Sequence, residues 1–356
     1  MVVVPLRART DLAGVKPYVS PQLSARVRLN TNESPYPPPP AVLEEITEAL
    51  GLAALNRYPD RDATLLHTAL SGHTGWPEEG LWIANGSNEV FLHLFLAFGG
   101  PGRTSITFEP TYSLHTLIAR IAATRTITRR RTDAWAVNLE DARAVLEAER
   151  PEIVVLCSPN NPTGALEPLD AVRDLAVRAR GLVVVDEAYG EFADPSDGAI
   201  GLLSEYPNVV VVRTFSKAWG LAGVRLGYLM AAPEVIAEMA TVRLPYHLSA
   251  PTQAFGLAAL AHAPEAAEAA RAVVRERERL VVELAGLGLK AWPSQANFVL
   301  FEVGHAGAVY RGLLERGVLV RSYEGRPGLA RCLRVTAGLP EEIDEFLSAL
   351  AEVLDE

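Results

Sequence analysis

The sequence predicts an α/β protein: a mainly parallel sheet flanked by helices in a large domain, followed by a smaller α+β domain. Three observations carry this. From about residue 75, the β-branched runs "TSITF", "EIVVLCS", "GLVVVDEA" and "NVVVVRTF" alternate with helical stretches such as "VFLHLFLAF" and "PLDAVRDLAVRAR". The runs are nearly unbroken apolar, as strands are when helices cover both faces of a parallel sheet. Beyond about residue 245 the pattern changes to a long helix, "PEAAEAARAVVRERERLVVELAGLG", the strands "ANFVLFEV" and "CLRVTAG", and a closing helix, "EEIDEFLSALAEVLDE".

Residues 1–45 read as an irregular arm and linker expected to pack on the small domain, because the run "SPYPPPP" at 34–40 cannot sit inside a helix or a central strand. The stretch "PAVLEEITEALGLAALNRYPD" is helical in period until it breaks at Asn56 to Asp60. It opens a large domain at 46–245, with the small domain at 246–356. A chain of 356 residues supports two cores. Its net charge of −10 argues against nucleic acid or an anionic membrane surface as partner. The basic run Arg129-Arg130-Arg131 reads as a solvated loop face. The apolar start is too short for a secretion signal and no later run is long enough to span a membrane, so a cytoplasmic chain is expected. Cys157 and Cys332 form no CxxC pair and the seven histidines show no ligand spacing, so no metal site is expected.

In open parallel sheets, ligands gather beyond the carboxyl ends of the strands. Asn161, Asp186 and the pair Ser216-Lys217 all fall at such ends. Lys217 is one of only three lysines; every other basic residue is arginine. Lysine differs from arginine in that its amine can lose a proton and become a nucleophile. Lys217 is therefore either a Schiff-base lysine for pyridoxal phosphate or a solvated surface residue.

A pyridoxal phosphate would need four accessories. Its ring nitrogen needs an acid, and Asp186 fits, since an unpaired carboxylate ending an apolar strand is costly. A helix cap, or the metal-binding carboxylate of a nucleotide triphosphatase, would also explain Asp186, but no GxxxxGK[ST] loop exists. The phenolic oxygen needs donors, for which Asn161 and Tyr189 stand ready, although "NNPTG" is also ordinary turn chemistry. The phosphate needs free amides and a cation: Gly86, Ser87 and Asn88 open an apolar helix, and Arg225 follows the lysine by eight residues. An ordinary N-cap is the competing explanation. The ring needs a face, which Tyr112 offers unless it merely packs. Thr214 and Ser216, beside the lysine, complete the cofactor-binding set.

Taken in order, "GSNE", "PTY", "SPNNPTG", "DEAYGEF", "SKAWGLAGVRLGY" and "CLRVTAG" resemble the fold type I pyridoxal-phosphate enzymes, the aminotransferase class I/II superfamily, over essentially the whole chain. The resemblance implies a seven-stranded-type sheet, Lys217 as covalent link and proton carrier, and catalytic parts for Asp186 and Tyr189. Within the superfamily, "LNTNESPYPPP", "LNRYPD" and "CSPNNPTGAL" are similar to the histidinol-phosphate aminotransferases, as is the pair Arg321 and Arg334 in "GVLVRSYEGRPGLARCLRVTAG".

That likeness implies conversion of L-histidinol phosphate and 2-oxoglutarate to imidazole-acetol phosphate and L-glutamate, in histidine biosynthesis. Arg334 would hold the α-carboxylate of glutamate, with Asn161 beside it, and Arg321 the distal anion or phosphate. It also implies a homodimer in which Tyr18 (substrate) and Tyr58 (cofactor) reach into the neighbouring subunit's site. Asn88 and His247 depart from the aspartate and asparagine common there. An aromatic amino-acid aminotransferase or a threonine-phosphate decarboxylase would share the scaffold. A transcription regulator would need a DNA-binding domain for which the arm is too short. A nicotinamide dehydrogenase would need a strand–GxGxxG–helix unit that is missing.

Overall fold

The computed structural model describes residues 9–15, 17–18, 22–52 and 54–356. Thirteen strands occur among them. The arm holds β1 (Val27–Arg28). The large sheet is built from β2 (Leu81–Ala84), β3 (Thr104–Glu109), β4 (Arg125–Arg130), β5 (Ile153–Cys157), β6 (Leu182–Asp186), β7 (Val209–Thr214) and β8 (Gly227–Met230). The small domain carries β9 (Lys290–Ala291), β10 (Phe298–Glu302), β11 (Val318–Leu319), β12 (Arg321–Ser322) and β13 (Cys332–Thr336).

The large sheet has the order β2-β8-β7-β6-β5-β3-β4, and β8 alone runs against the other six. Every residue of β5 and β6 is buried, which is why both read as unbroken apolar runs. Helices cover the faces. The helix Ser87–Phe98 buries Val90, Phe91, Leu94 and Phe95, the three-and-four spacing of a core-facing stripe. Burial of each such side chain is worth roughly 1.5–3 kcal/mol, enough to fix where the helix begins.

The strand order reverses direction between β3 and β5. At such a switch point the loops leaving the strands diverge and open a crevice. The reversed β8 starts at that same rim, so Arg225, two residues before it, arrives beside the turn that follows β2.

The small domain is an antiparallel sheet, β12-β13-β10-β9, packed on the helices Ala263–Gly286 and Pro340–Asp355. The arm divides its contacts. β1 pairs in parallel with β11 of the small domain. The turn Thr10–Leu12 instead lies on the large-domain helix Leu114–Ile121, where Arg120 donates to the carbonyls of Asp11 (2.9 Å) and Ala13 (3.0 Å). The linker prolines end in a helix, Pro40–Leu52, which starts on Pro40 and packs on Ala250–Ala261. Proline is tolerated there because the first helical amide has no partner in any case.

One expectation fails. Arg129-Arg130-Arg131 is not a solvated loop: Arg129 and Arg130 end the edge strand β4, and Arg131 is buried against Glu167. A run of arginines conceals a strand when only one face and one end of it are buried.

Candidate active site

The loops after β3, β5, β6 and β7 and the turn after β2 line a cavity of about 1120 Å³, closed on the far side by small-domain residues. Lys217 lies on its floor. Its Nζ donates to the carbonyls of Thr31 (3.1 Å) and Asn32 (2.9 Å), brought in by the arm. Burial, then the Arg334 guanidinium and more weakly that of Arg225, lower its amine to about 8. The lowered value raises the neutral fraction that a nucleophilic amine requires.

Asp186 ends β6, almost fully buried. Its Oδ2 lies 2.8 Å from His115 Nε2, and its Oδ1 accepts from the Ala188 amide at 3.1 Å. His115 sits between Phe91 and Tyr112, and its Nδ1 has no partner among the described residues. The imidazole holds one oxygen while the carboxyl keeps capacity toward the cavity.

Tyr189 is locked by a network whose amide orientations follow from their neighbours. The Thr336 hydroxyl donates to Asn32 Oδ1 (3.1 Å), and Arg334 Nη1 donates to Asn161 Oδ1 (2.5 Å). Both amide nitrogens therefore face Tyr189 Oη and donate to it, at 2.9 and 3.2 Å. With its lone pairs engaged and burial pushing its pKa up, the hydroxyl keeps a proton free to donate.

The turn after β2 forms the anion cradle. Gly86 has φ +85°, and a Cβ there would lie 2.7 Å from Arg225 Nη2. Only glycine lets the guanidinium approach this backbone. Gly227 serves the same end from the other side, since its Cβ would come within 2.5 Å of the Ser87 amide. Ser87 and Asn88 begin the helix with no side-chain cap, so their amides are available. Thr214 Oγ1 and Ser216 Oγ lie 3.1 Å apart, and Arg225 Nη1 donates to Ser216 Oγ at 3.3 Å. Tyr112 lies across the cradle, its hydroxyl 3.4 Å from Asn88 Oδ1.

Two arginines form the opposite wall. Arg321 of β12 is the direct partner of Arg334 of β13, so both side chains leave the same face of the sheet. Like charges placed opposite each other are destabilising unless an anion answers them. Arg334 is buried, and its partners, Asn161 Oδ1 and the Asn30 carbonyl (2.8 Å), are neutral. Its Nε is buried without a partner among the described residues.

The cavity thus gathers Ser87, Asn88, Tyr112, Asn161, Asp186, Tyr189, Thr214, Ser216, Lys217, Arg225, Arg321 and Arg334, with Gly86 just behind. A pyridoxal phosphate fits this set: amine, acid, hydroxyl donor and a glycine-lined cation cradle converge on one space. Tyr18 lines the cavity of its own chain; Lys16 and residues 19–21 around it lie outside the described residues. Tyr58 is 80% exposed, outside the lining, and stacks on Tyr246 at 4.4 Å. His247 likewise lies outside the lining. His115 and Asn32 went unassigned from sequence. His115 carried a weak signal, three residues after Tyr112 in "PTYSLH"; Asn32 lay within "LNTNESPYPPP" but with no role assigned, because that role depends on the arm folding back across 157 residues to Tyr189.

The family model of the aminotransferase class I and II matches residues 25–350. The histidinol-phosphate aminotransferase of Mycobacterium marinum is 46% identical over 98% of this chain and 92% of its own length. That of Thermobifida fusca is 47% identical over 97% and 95%. Among solved structures, histidinol-phosphate aminotransferase from Sinorhizobium meliloti in complex with pyridoxal-5'-phosphate is similar with a TM-score of 0.91, at 28% identity and 99% coverage of both chains. By the match along 25–350 and by these relatives, the chain belongs to the class I and II aminotransferases.

Proposed function

We propose that this protein is a pyridoxal-phosphate-dependent histidinol-phosphate aminotransferase, a cytoplasmic homodimer with shared sites. It passes the amino group of L-histidinol phosphate to 2-oxoglutarate, giving imidazole-acetol phosphate and L-glutamate. The observation that carries this is the pairing of Arg321 with Arg334 on the wall facing Lys217 and Asp186.

Lys217, Asp186, Tyr189 and the Gly86–Asn88 turn with Arg225 would hold the cofactor. When bound, pyridoxal phosphate supplies an aldehyde and an electron-withdrawing ring that stabilises negative charge at the substrate's α carbon. Asp186, steadied by His115, would meet the ring nitrogen. Tyr189 would donate its free hydroxyl proton to the phenolic oxygen. Lys217 Nζ, with its lowered affinity for protons, accepts the α-carbon proton and gives it up again, acting first as base and then as acid.

The wall arginines account for two unlike substrates in one site. Glutamate brings two carboxylates, whereas histidinol phosphate brings a phosphate and no carboxylate. Guanidinium binds either anion in a bidentate manner. Arg334, buried and matched only by neutral oxygens, suits the α-carboxylate; Arg321, half-buried on the same wall, suits the distal carboxylate or phosphate. The test is a substrate panel with 2-oxoglutarate as acceptor. Histidinol phosphate is expected to exceed phenylalanine in kcat/KM by at least tenfold, with no decarboxylation of phosphothreonine; the reverse order assigns the site to another enzyme on this scaffold.

A further inference from the structure

His247 stands behind the anion cradle, where it touches no cavity space. Its Nε2 donates to the Ile83 carbonyl at 2.9 Å, on β2, the edge strand of the large sheet. Its own carbonyl accepts from Asn85 Nδ2 at 3.0 Å. The two bonds run in opposite senses, side chain to backbone and backbone to side chain. They bracket the chain on both sides of residue 84, immediately before Gly86 and Ser87. The brace continues forward, since Asn85 donates to Glu89 Oε2 from its backbone amide (2.6 Å) and from Nδ2 (2.7 Å). Glu89 lies in the first turn of the helix whose amides face the cavity.

The segment bearing His247 is itself held under tension. Tyr246 has φ +57°, a left-handed conformation unfavourable for a side-chain residue. Its ring stacks on Tyr58, and the His247 ring lies over Trp82 at 6.5 Å. The His93 ring meets the imidazole edge-on at 5.9 Å, so Trp82 and His93 flank it in space. No other part of the described active site explains these contacts.

We propose that His247 is a positioning residue that sets the Ala84–Ser87 turn for the cofactor's phosphate. This inference rests on the pyridoxal-phosphate reading above. Bonds from amides and guanidinium to a phosphate are short and directional, so a small displacement of the turn weakens them. Lys217, Asp186 and Tyr189 would meet the aldehyde, the ring nitrogen and the phenolic oxygen rather than the phosphate, and none of them hydrogen-bonds His247. Loss of the brace therefore falls on the phosphate alone.

The experiment measures dissociation constants of the full-length chain for pyridoxal phosphate and for pyridoxal, which lacks the phosphate, by absorbance titration. His247→Ala is expected to weaken pyridoxal phosphate about tenfold, equivalent to about 1.4 kcal/mol, and pyridoxal less than about twofold. His247→Gln, whose amide reaches the same carbonyl, is expected to restore the phosphate preference. His247→Leu, which keeps much of the bulk but has no donor, serves in place of the alanine variant if that chain does not fold, with the same tenfold selective loss expected. Equal loss of both ligands, or no loss of either, overturns the proposal. A wild-type chain that binds neither ligand overturns the cofactor assignment itself, which keeps the two failures distinct.

Discussion

Lys217 owes its lowered pKa to burial and to the Arg334 and Arg225 guanidinium groups, and this has a consequence for stability. Between about pH 8 and 10.5 the unfolded chain holds a proton that the folded chain has lost, so stability rises with pH across that window. In the cofactor-free protein, Lys217→Met is expected to stabilise the fold by on the order of 2 kcal/mol at pH 7, an advantage gone by about pH 10.5. Urea denaturation at both values measures it; an advantage that grows with pH contradicts the assignment. Arg334 makes a complementary case. Arg334→Ala is expected to lower kcat/KM for glutamate by about a hundredfold or more, as for loss of a desolvated charge pair. Cofactor affinity should change far less, and equal losses would make Arg334 a structural residue. Lys217, Asp186 and Arg334 were legible because each breaks a local rule: a lysine among arginines, and charges inside apolar strands. His115 and Asn32 break none, and their roles exist only once distant segments meet.

At the level of elements, the phosphate cradle depends on two short strands that sequence periodicity does not reveal. β2 and β8, "LWIA" and "GYLM", are too short and too evenly buried to show alternation. The longer parallel strands β3, β5, β6 and β7 were plain from their apolar runs, and so was the helical ending of the chain. β4 was hidden by its arginines. The reversal of β8 is what brings Arg225 and Gly227 to the turn after β2. Gly227→Ala would place a methyl 2.5 Å from the Ser87 amide, a backbone atom that cannot yield cheaply. It is expected to cost about 1–3 kcal/mol of stability, as overpacking does, and to weaken pyridoxal phosphate as well. Thermal melts and cofactor titration check both, and an unperturbed variant would mean that the cradle is not closely packed.

For the whole molecule, the proposed homodimer would give Tyr58, exposed and outside its own chain's cavity, a place in the second copy's site. In such a homodimer, Lys217→Ala and Tyr58→Ala chains damage different sites. Mixed and re-associated, they should form heterodimers with one intact site and recover about a quarter of wild-type activity. Absence of recovery, with mixed dimers present, would place Tyr58 outside the chemistry. No helix among the described residues is long and apolar enough to cross a membrane.

The most direct test of the central claim is a visible absorbance scan of the purified holoenzyme without any acceptor. L-Histidinol phosphate, and separately L-glutamate, should bleach the long-wavelength band, and 2-oxoglutarate should restore it, while Lys217→Arg shows no such band. A colourless protein, or a band that neither donor bleaches, would contradict the account.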